Sequence, residues 1–219
     1  MSTKTQSQRL NSIKVKDTIK VVITPEFKRQ IDILHKEIIN REWCGVLITE
    51  DVGNIFEPDE MVITPKYIYL MNIGSGAYTE ADYTAEMVCD LYEKFPELED
   101  GIWNQHVIHT HHTMDTFFSG TDKEQLEDGA KDSPYYLSLI VNCAGKYTAK
   151  VAYVVEGKET YTHKKSKKEF SYHVPGEYLV ELECDIVHEE TPNQVAIRTL
   201  KEETEAAVKA LKEKARVEC

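Results

Sequence analysis

The segment from His109 to Asp122 contains the residues of this chain that are best suited to bind a metal ion. It reads His-Thr-His-His-Thr-Met-Asp-Thr-Phe-Phe-Ser-Gly-Thr-Asp. Side chains alternate along an extended strand, so His109 and His111 point to the same side and can reach one ion. Asp122 can add an oxygen ligand if the intervening loop folds back, and Ser119 places a hydroxyl nearby. Two nitrogen ligands and one oxygen ligand leave a fourth position for water, which is typical of a catalytic zinc site.

A second segment, Glu-Trp-Cys-Gly-Val-Leu, begins at Glu42. Together with the later His-x-His, seven residues, Ser, two residues and Asp, it resembles the motif of the JAMM metallopeptidase family, also called MPN+ or JAB domain. The resemblance covers most of the chain from about residue 19 to residue 155. It is specific, because five positions in two separated segments must agree.

The resemblance implies a role for each of these residues. His109, His111 and Asp122 would bind Zn²⁺. Glu42 would deprotonate the attacking water, and Ser119 would stabilise the oxyanion of the tetrahedral intermediate. Singly, each residue has a common structural explanation: a histidine is often packed, a surface glutamate is frequent, and Ser or Asp at a helix start is usually a cap.

The chain departs from the family pattern at two positions. Thr110 stands where the family usually has Ser, and His112 stands where it usually has Pro. Thr110 keeps a hydroxyl. On an extended chain His112 would point away from the metal, so we expect it at the rim, either in contact with substrate or without function. Phe117 and Phe118 are expected to line the same approach and to favour small residues next to the cleaved bond.

Apolar periodicity predicts alternating strands and helices. Strands are predicted over residues 18–23, 44–49, 61–64, 67–72, 101–110, 135–141 and 147–155. One helix is predicted to begin at Pro25, with Thr24 as its N-cap, and to end near Glu42. A second helix is predicted to carry Tyr83 and Leu91 and to stop at Pro96. A third would begin at or near Asp122. The result is an α/β (α+β) fold with a mixed sheet flanked by helices, and the resemblance implies a cytidine-deaminase-like JAB/MPN domain.

The length of 219 residues fits a JAB/MPN domain over residues 15–157 and a C-terminal extension over residues 158–219. In the extension, a strand over 178–186 and a charged helix opening at Thr191 and Pro192 are predicted. That helix has too few large apolar residues for its own core. We expect it to pack back on the domain, with self-association or partner binding as the alternative.

Composition limits the partners. The net charge of -12 argues against nucleic acid, and the basic run at 163–168 is short enough to be a solvated loop. Five cysteines at irregular spacing disfavour a disulfide framework, which favours a cytoplasmic location. Buried packing is the expected role of Cys44. The polar N-terminal segment predicts that there is no signal peptide, and no apolar run reaches the length of a membrane span.

These observations predict a zinc-dependent hydrolase of peptide or isopeptide bonds. From the resemblance, the expected partner is a protein or peptide substrate with an extended tail, such as the C-terminus of a ubiquitin-like protein. The alternatives are a non-catalytic MPN-type scaffold and a phage assembly module that binds metal for stability. The complete ligand set counts against the scaffold.

Overall fold

A computed structural model describes residues 10–74, 84–101, 103–162, 169–190 and 194–217. Its strands are β1 (Asn11–Ile23), β2 (Trp43–Val52), β3 (Val62–Ile73), β4 (Trp103–Thr110), β5 (Tyr136–Val141), β6 (Tyr147–Thr162) and β7 (Glu169–His188). Its helices are α1 (Pro25–Glu37), α2 (Ala85–Lys94), α3 (Pro96–Glu99), α4 (Gly120–Asp132) and α5 (Gln194–Val217). Several predicted features lie outside the described residues: Tyr83, the basic run 163–168, and the helix start at Thr191 and Pro192.

The strands form one mixed sheet in the order β1-β3-β2-β4-β5-β6-β7, and β7 pairs with β1 to close it. Strand β4 lies between β2, to which it is antiparallel, and β5, to which it is parallel. The predicted hairpin of β5 and β6 is confirmed. The mixed sheet and its helices confirm the predicted α/β (α+β) class. No helix within the described ranges has the length and apolar character needed to cross a membrane.

Helix α1 begins as predicted and ends earlier than predicted. The Thr24 hydroxyl accepts a hydrogen bond from the Phe27 amide, and Pro25 occupies the first helical turn. Phe27, Ile31 and Leu34 are buried in the main core, as the apolar spacing predicts. The helix stops at Glu37, so the prediction that it runs to Glu42 is wrong. A short turn separates the helix from Glu42, whose carbonyl accepts a hydrogen bond from the Gly74 amide beyond β3 (2.8 Å).

The structure also corrects the prediction of two separate strands after β2. The predicted strands 61–64 and 67–72 belong to one strand, β3. Pro65 lies within this strand, where the pairing with β2 shifts register.

The side chain of Gln30, on α1, is buried beside β3. It accepts from the Ile68 amide (2.8 Å) and donates to the Ile68 carbonyl (3.0 Å). The helix side chain thereby satisfies both backbone groups of Ile68.

Part of the predicted extension belongs to the same sheet as the rest of the chain, because β6 continues to Thr162 and β7 spans Glu169–His188. The predicted boundary at residue 157 falls inside β6, and β7 is longer than the predicted strand and pairs with both β6 and β1. Helix α5 packs back against α1, as expected. Val208 is buried in the main core, and Lys212 lies 3.9 Å from the Glu37 carboxylate.

Candidate metal centre

Strand β4 carries the two histidines of the site. His109 lies in register with Cys44 of β2 and Ile140 of β5, so it occupies the interior of the sheet and not an edge. His111 follows directly after the strand, and its amide donates to the Val141 carbonyl (2.9 Å). The two imidazole centroids are 5.1 Å apart, and both side chains are buried. The strand alternation therefore presents both rings to one point, as predicted.

Asp122 reaches the histidines from the first turn of α4. Its carboxylate oxygens lie 3.3 Å from Nε2 of His109 and 3.9 Å from Nε2 of His111. One ligand atom from each of the three residues lies within 4.8 Å of the other two. Within the described part of the chain, this is the only group of three or more His, Cys, Asp or Glu residues close enough to share a metal ion.

A capping box holds Asp122 in place. The Ser119 amide donates to Oδ2 of Asp122 (2.7 Å), and the Asp122 amide donates to the Ser119 hydroxyl (3.3 Å). The capping role and the ligand role are therefore compatible, because Oδ1 of Asp122 faces His109 while Oδ2 accepts the cap bond. Since the Ser119 oxygen acts as an acceptor in the cap, its O–H remains available to donate to another group.

The hydrogen-bonding partner of His111 sets its tautomer. Nδ1 lies 2.9 Å from the Asp115 carbonyl, which can only accept, so Nδ1 carries the proton and Nε2 keeps its lone pair. This is the usual way in which an outer group orients a metal-binding histidine. Burial lowers the pKa of His109, an effect that Asp122 opposes and His111 reinforces. The lowered pKa of His109 favours its neutral imidazole, which is the form that binds a metal.

Glu42 lies beside the triad, just before β2. Its side chain is buried, with 5% of the residue exposed. Burial raises the pKa of its carboxyl group most, whereas electrostatic interaction with His111 lowers that pKa and interaction with Asp122 raises it. A carboxylate whose pKa is raised toward neutrality is a better proton acceptor at the working pH.

The structure corrects the position predicted for His112. The ring was expected at the rim, but only 9% of the residue is exposed. A positive φ of 46° turns the chain after His111, and Nε2 of His112 accepts a hydrogen bond from the Asn40 amide (2.9 Å). The buried ring is therefore directed at the turn that contains Asn40 and does not lie at the exposed rim.

Phe117 is an exposed aromatic residue that packs beside His111. It is 54% exposed, and its ring packs edge-on against His111 with centroids 5.0 Å apart. Phe118 is half-buried, and the Lys150 ammonium lies 5.5 Å from its ring centroid. The two aromatic residues therefore have different surroundings, and Phe117 is the better candidate for contact with a substrate.

Sequence reasoning missed the groups that stabilise the loop between His111 and Phe118. The Asp115 side chain pairs with Lys146 at 2.6 Å, and the Asn142 amide group donates to the Met114 carbonyl at 2.9 Å. The contact that orients His111 comes from a backbone carbonyl, which any residue could supply. No signal in the sequence could have identified it.

His106 also lies on β4 but belongs to the packed interior and not to the candidate site. It is buried on the opposite face of β4 from His109. Nδ1 accepts from the Leu137 amide (3.2 Å), and Nε2 lies 3.8 Å from the Asp51 carboxylate. These contacts are structural, and the odd spacing along β4 separates His106 from His109 of the candidate metal triad.

Comparisons with known proteins leave the site to be interpreted from its own residues. No protein-family model matches the chain. No curated protein matches it either. The solution structure of protein DSY2949 from Desulfitobacterium hafniense is similar over 80% of this chain and 97% of that chain, with 14% sequence identity and a TM-score of 0.40. A likeness this weak carries no argument about function.

Proposed function

We propose that the protein is a zinc-dependent hydrolase of peptide or isopeptide bonds. The observation that carries the proposal is the convergence of His109, His111 and Asp122, whose ligand atoms lie within 4.8 Å of one another, beside the buried Glu42. Two imidazoles and one carboxylate suit zinc and leave a coordination position open, whereas structural zinc sites are closed by four protein ligands.

The JAMM resemblance supports the same proposal, and with it a JAB/MPN fold. Glu42 lies directly before β2, the histidine pair lies at the end of β4, and Ser119 and Asp122 begin α4. The motif residues therefore gather from three separate elements, as a JAMM site requires. In this proposal the residues beyond 157, which include the end of β6, β7 and α5, are additions to the domain.

In the proposed mechanism, the zinc ion, Glu42 and Ser119 each have a separate role. Bound zinc supplies a Lewis acid that lowers the pKa of a coordinated water to about 7. Glu42 accepts the proton of the attacking water and passes it to the leaving amine. The free O–H of Ser119 donates to the oxygen that becomes negative during attack on the carbonyl.

Two measurements test the proposal. Protein purified without added zinc should contain close to one zinc per chain. It should also cleave members of a panel of peptides and isopeptides, including Lys isopeptides of ubiquitin-like C-termini. Stoichiometric zinc with no cleavage of any member would favour the non-catalytic scaffold.

Ser119→Ala should keep zinc and slow turnover by roughly 10²–10³-fold, the usual cost of losing one oxyanion donor. The substitution also removes a helix cap, which costs about 1 kcal/mol of stability. Thr84→Ala is the matched control, because Thr84 caps α2 through the same kind of bond to the Met87 amide. It should lose similar stability and no activity. An unchanged kcat in Ser119→Ala would remove Ser119 from the mechanism.

The exposed ring of Phe117 predicts a preference for small residues next to the cleaved bond. The kcat/KM for substrates with Gly-Gly before the cleaved bond should be about 10-fold or more higher than for otherwise identical substrates with two bulky residues there. In Phe117→Ala this ratio of kcat/KM values should be smaller. Phe56→Ala is the control, since Phe56 is 66% exposed and packs instead on Tyr153. Equal kcat/KM for Gly-Gly and bulky pairs in the unsubstituted protein would rule out selection by Phe117.

A further inference from the structure

The turn that carries Glu42 has little packing of its own. It begins after Ile38, which is buried, and ends at Glu42, whose carbonyl accepts from the Gly74 amide (2.8 Å). The residues between them are exposed, and Ile39 is 69% exposed. Asn40 adopts a positive φ of 57°. A turn of this kind requires an anchor if the side chain that follows it is to stay in one position.

The His112 imidazole supplies that anchor from the metal-binding loop. Its Nε2 accepts the Asn40 N–H at 2.9 Å across 72 residues of sequence. The backbone of His112 is itself held on both sides: its amide donates to the Thr110 hydroxyl (3.0 Å) and its carbonyl accepts from the Cys143 amide (2.8 Å). These two bonds fix the His112 backbone with respect to the ends of β4 and β5. The imidazole that accepts the Asn40 N–H is therefore attached to a fixed backbone, one residue away from His111.

We propose that His112 is a positioning residue that fixes Glu42 relative to the metal ligands. The inference rests on the proposed hydrolase function, in which Glu42 must accept a proton at the triad. Asn40 is two residues from Glu42, and His112 is adjacent to His111. The single hydrogen bond between Asn40 and His112 thus joins the loop of the proton acceptor to the loop of a metal ligand.

This role explains the departure from the JAMM pattern at position 112. Proline, the usual residue there, has no side-chain acceptor for the Asn40 amide. Histidine keeps a lone pair on Nε2 when Nδ1 carries the proton. The rigidity that proline gives through its ring is here replaced by a hydrogen bond to the neighbouring turn.

The test compares His112→Gln with His112→Leu in the full chain. Gln retains an acceptor at similar reach, whereas Leu fills space without one, and both must adopt the same positive φ. We expect Leu to lower kcat by about 10–10²-fold, as expected for a catalytic group displaced by up to about 1 Å. KM and zinc content should stay unchanged. Gln should retain most of the kcat.

A second measurement reports the anchor without activity. Amide hydrogen exchange of Asn40 in the metal-free protein should be slow in the unsubstituted chain and in His112→Gln, and about 10-fold or more faster in His112→Leu. An unchanged kcat in His112→Leu, or an equal loss in Gln and Leu, would overturn the inference while leaving the hydrolase intact. Failure of the unsubstituted protein to cleave any substrate would count against the proposed function, and the exchange rates would still decide whether His112 holds the turn.

Discussion

Glu42→Gln is expected to leave one zinc per chain in place and to reduce turnover by about 10²–10⁴-fold, the usual contribution of a general base. Gln has nearly the shape of Glu but does not accept a proton at neutral pH. The proposed ligands are His109, His111 and Asp122, so the substitution removes no metal contact. The zinc content of the variant should therefore stay unchanged while its turnover falls. Loss of zinc in this variant would make Glu42 a ligand and refute the mechanism.

The same substitution has an expected effect on stability, whose sign follows from the raised pKa of Glu42. A carboxyl group whose pKa is higher in the folded state binds protons more readily when folded, so ionisation weakens folding as pH rises through its pKa values. Gln does not ionise. Metal-free Glu42→Gln should thus be at least as stable as the unsubstituted protein at pH 7, and the difference should shrink as the pH is lowered toward 4.

Glu50→Gln is the matched control for both measurements. Glu50 lies on β2, the strand that Glu42 precedes, and pairs with Lys66 at the surface (2.6 Å). Exposed ion pairs of this kind contribute little to stability. We expect unchanged turnover and unchanged zinc. A lower stability of metal-free Glu42→Gln, measured by urea unfolding, would indicate that the Glu42 carboxylate makes a stabilising contact in the folded protein.

The grouping of His109, His111 and Asp122 could be predicted from sequence because local rules place its members. Strand alternation puts His109 and His111 on one side, and the preference of Ser and Asp for helix starts places Ser119 and Asp122 in one capping box. Only one long-range condition remained, namely that α4 folds back over the end of β4. The JAMM resemblance supplied that condition.

The environment of the site could not be predicted in the same way. The orientation of His112 depends on a positive φ and on Asn40, which is distant in sequence. Likewise, the alternation over residues 178–186 predicts a strand, but its pairing with β1 is a contact between opposite ends of the chain, which no local pattern encodes.

Replacing any one of His109, His111 or Asp122 with Ala is expected to abolish stoichiometric zinc. Each residue supplies one of only three protein ligands, so the loss in affinity should exceed the 10–100-fold typical of outer-shell changes. His188→Ala is the control, because His188 is exposed at the end of β7 and packs on Tyr147. Zinc per chain, measured after equilibration with a weak chelator, should stay near one in the control and fall close to zero in the three variants.

Thermal unfolding gives an independent measure of the same site. A ligand at 100 times its Kd stabilises the folded state by about 2.7 kcal/mol, which corresponds to roughly 5–10 °C in Tm for a chain of this size. Added zinc should produce that rise in the unsubstituted protein and in His188→Ala, but not in the three ligand variants. Asp122→Ala should also start from a lower Tm, because it loses half of the capping box with Ser119. Stoichiometric zinc persisting in all three variants, together with an undiminished rise in Tm, would place the metal elsewhere and end the assignment.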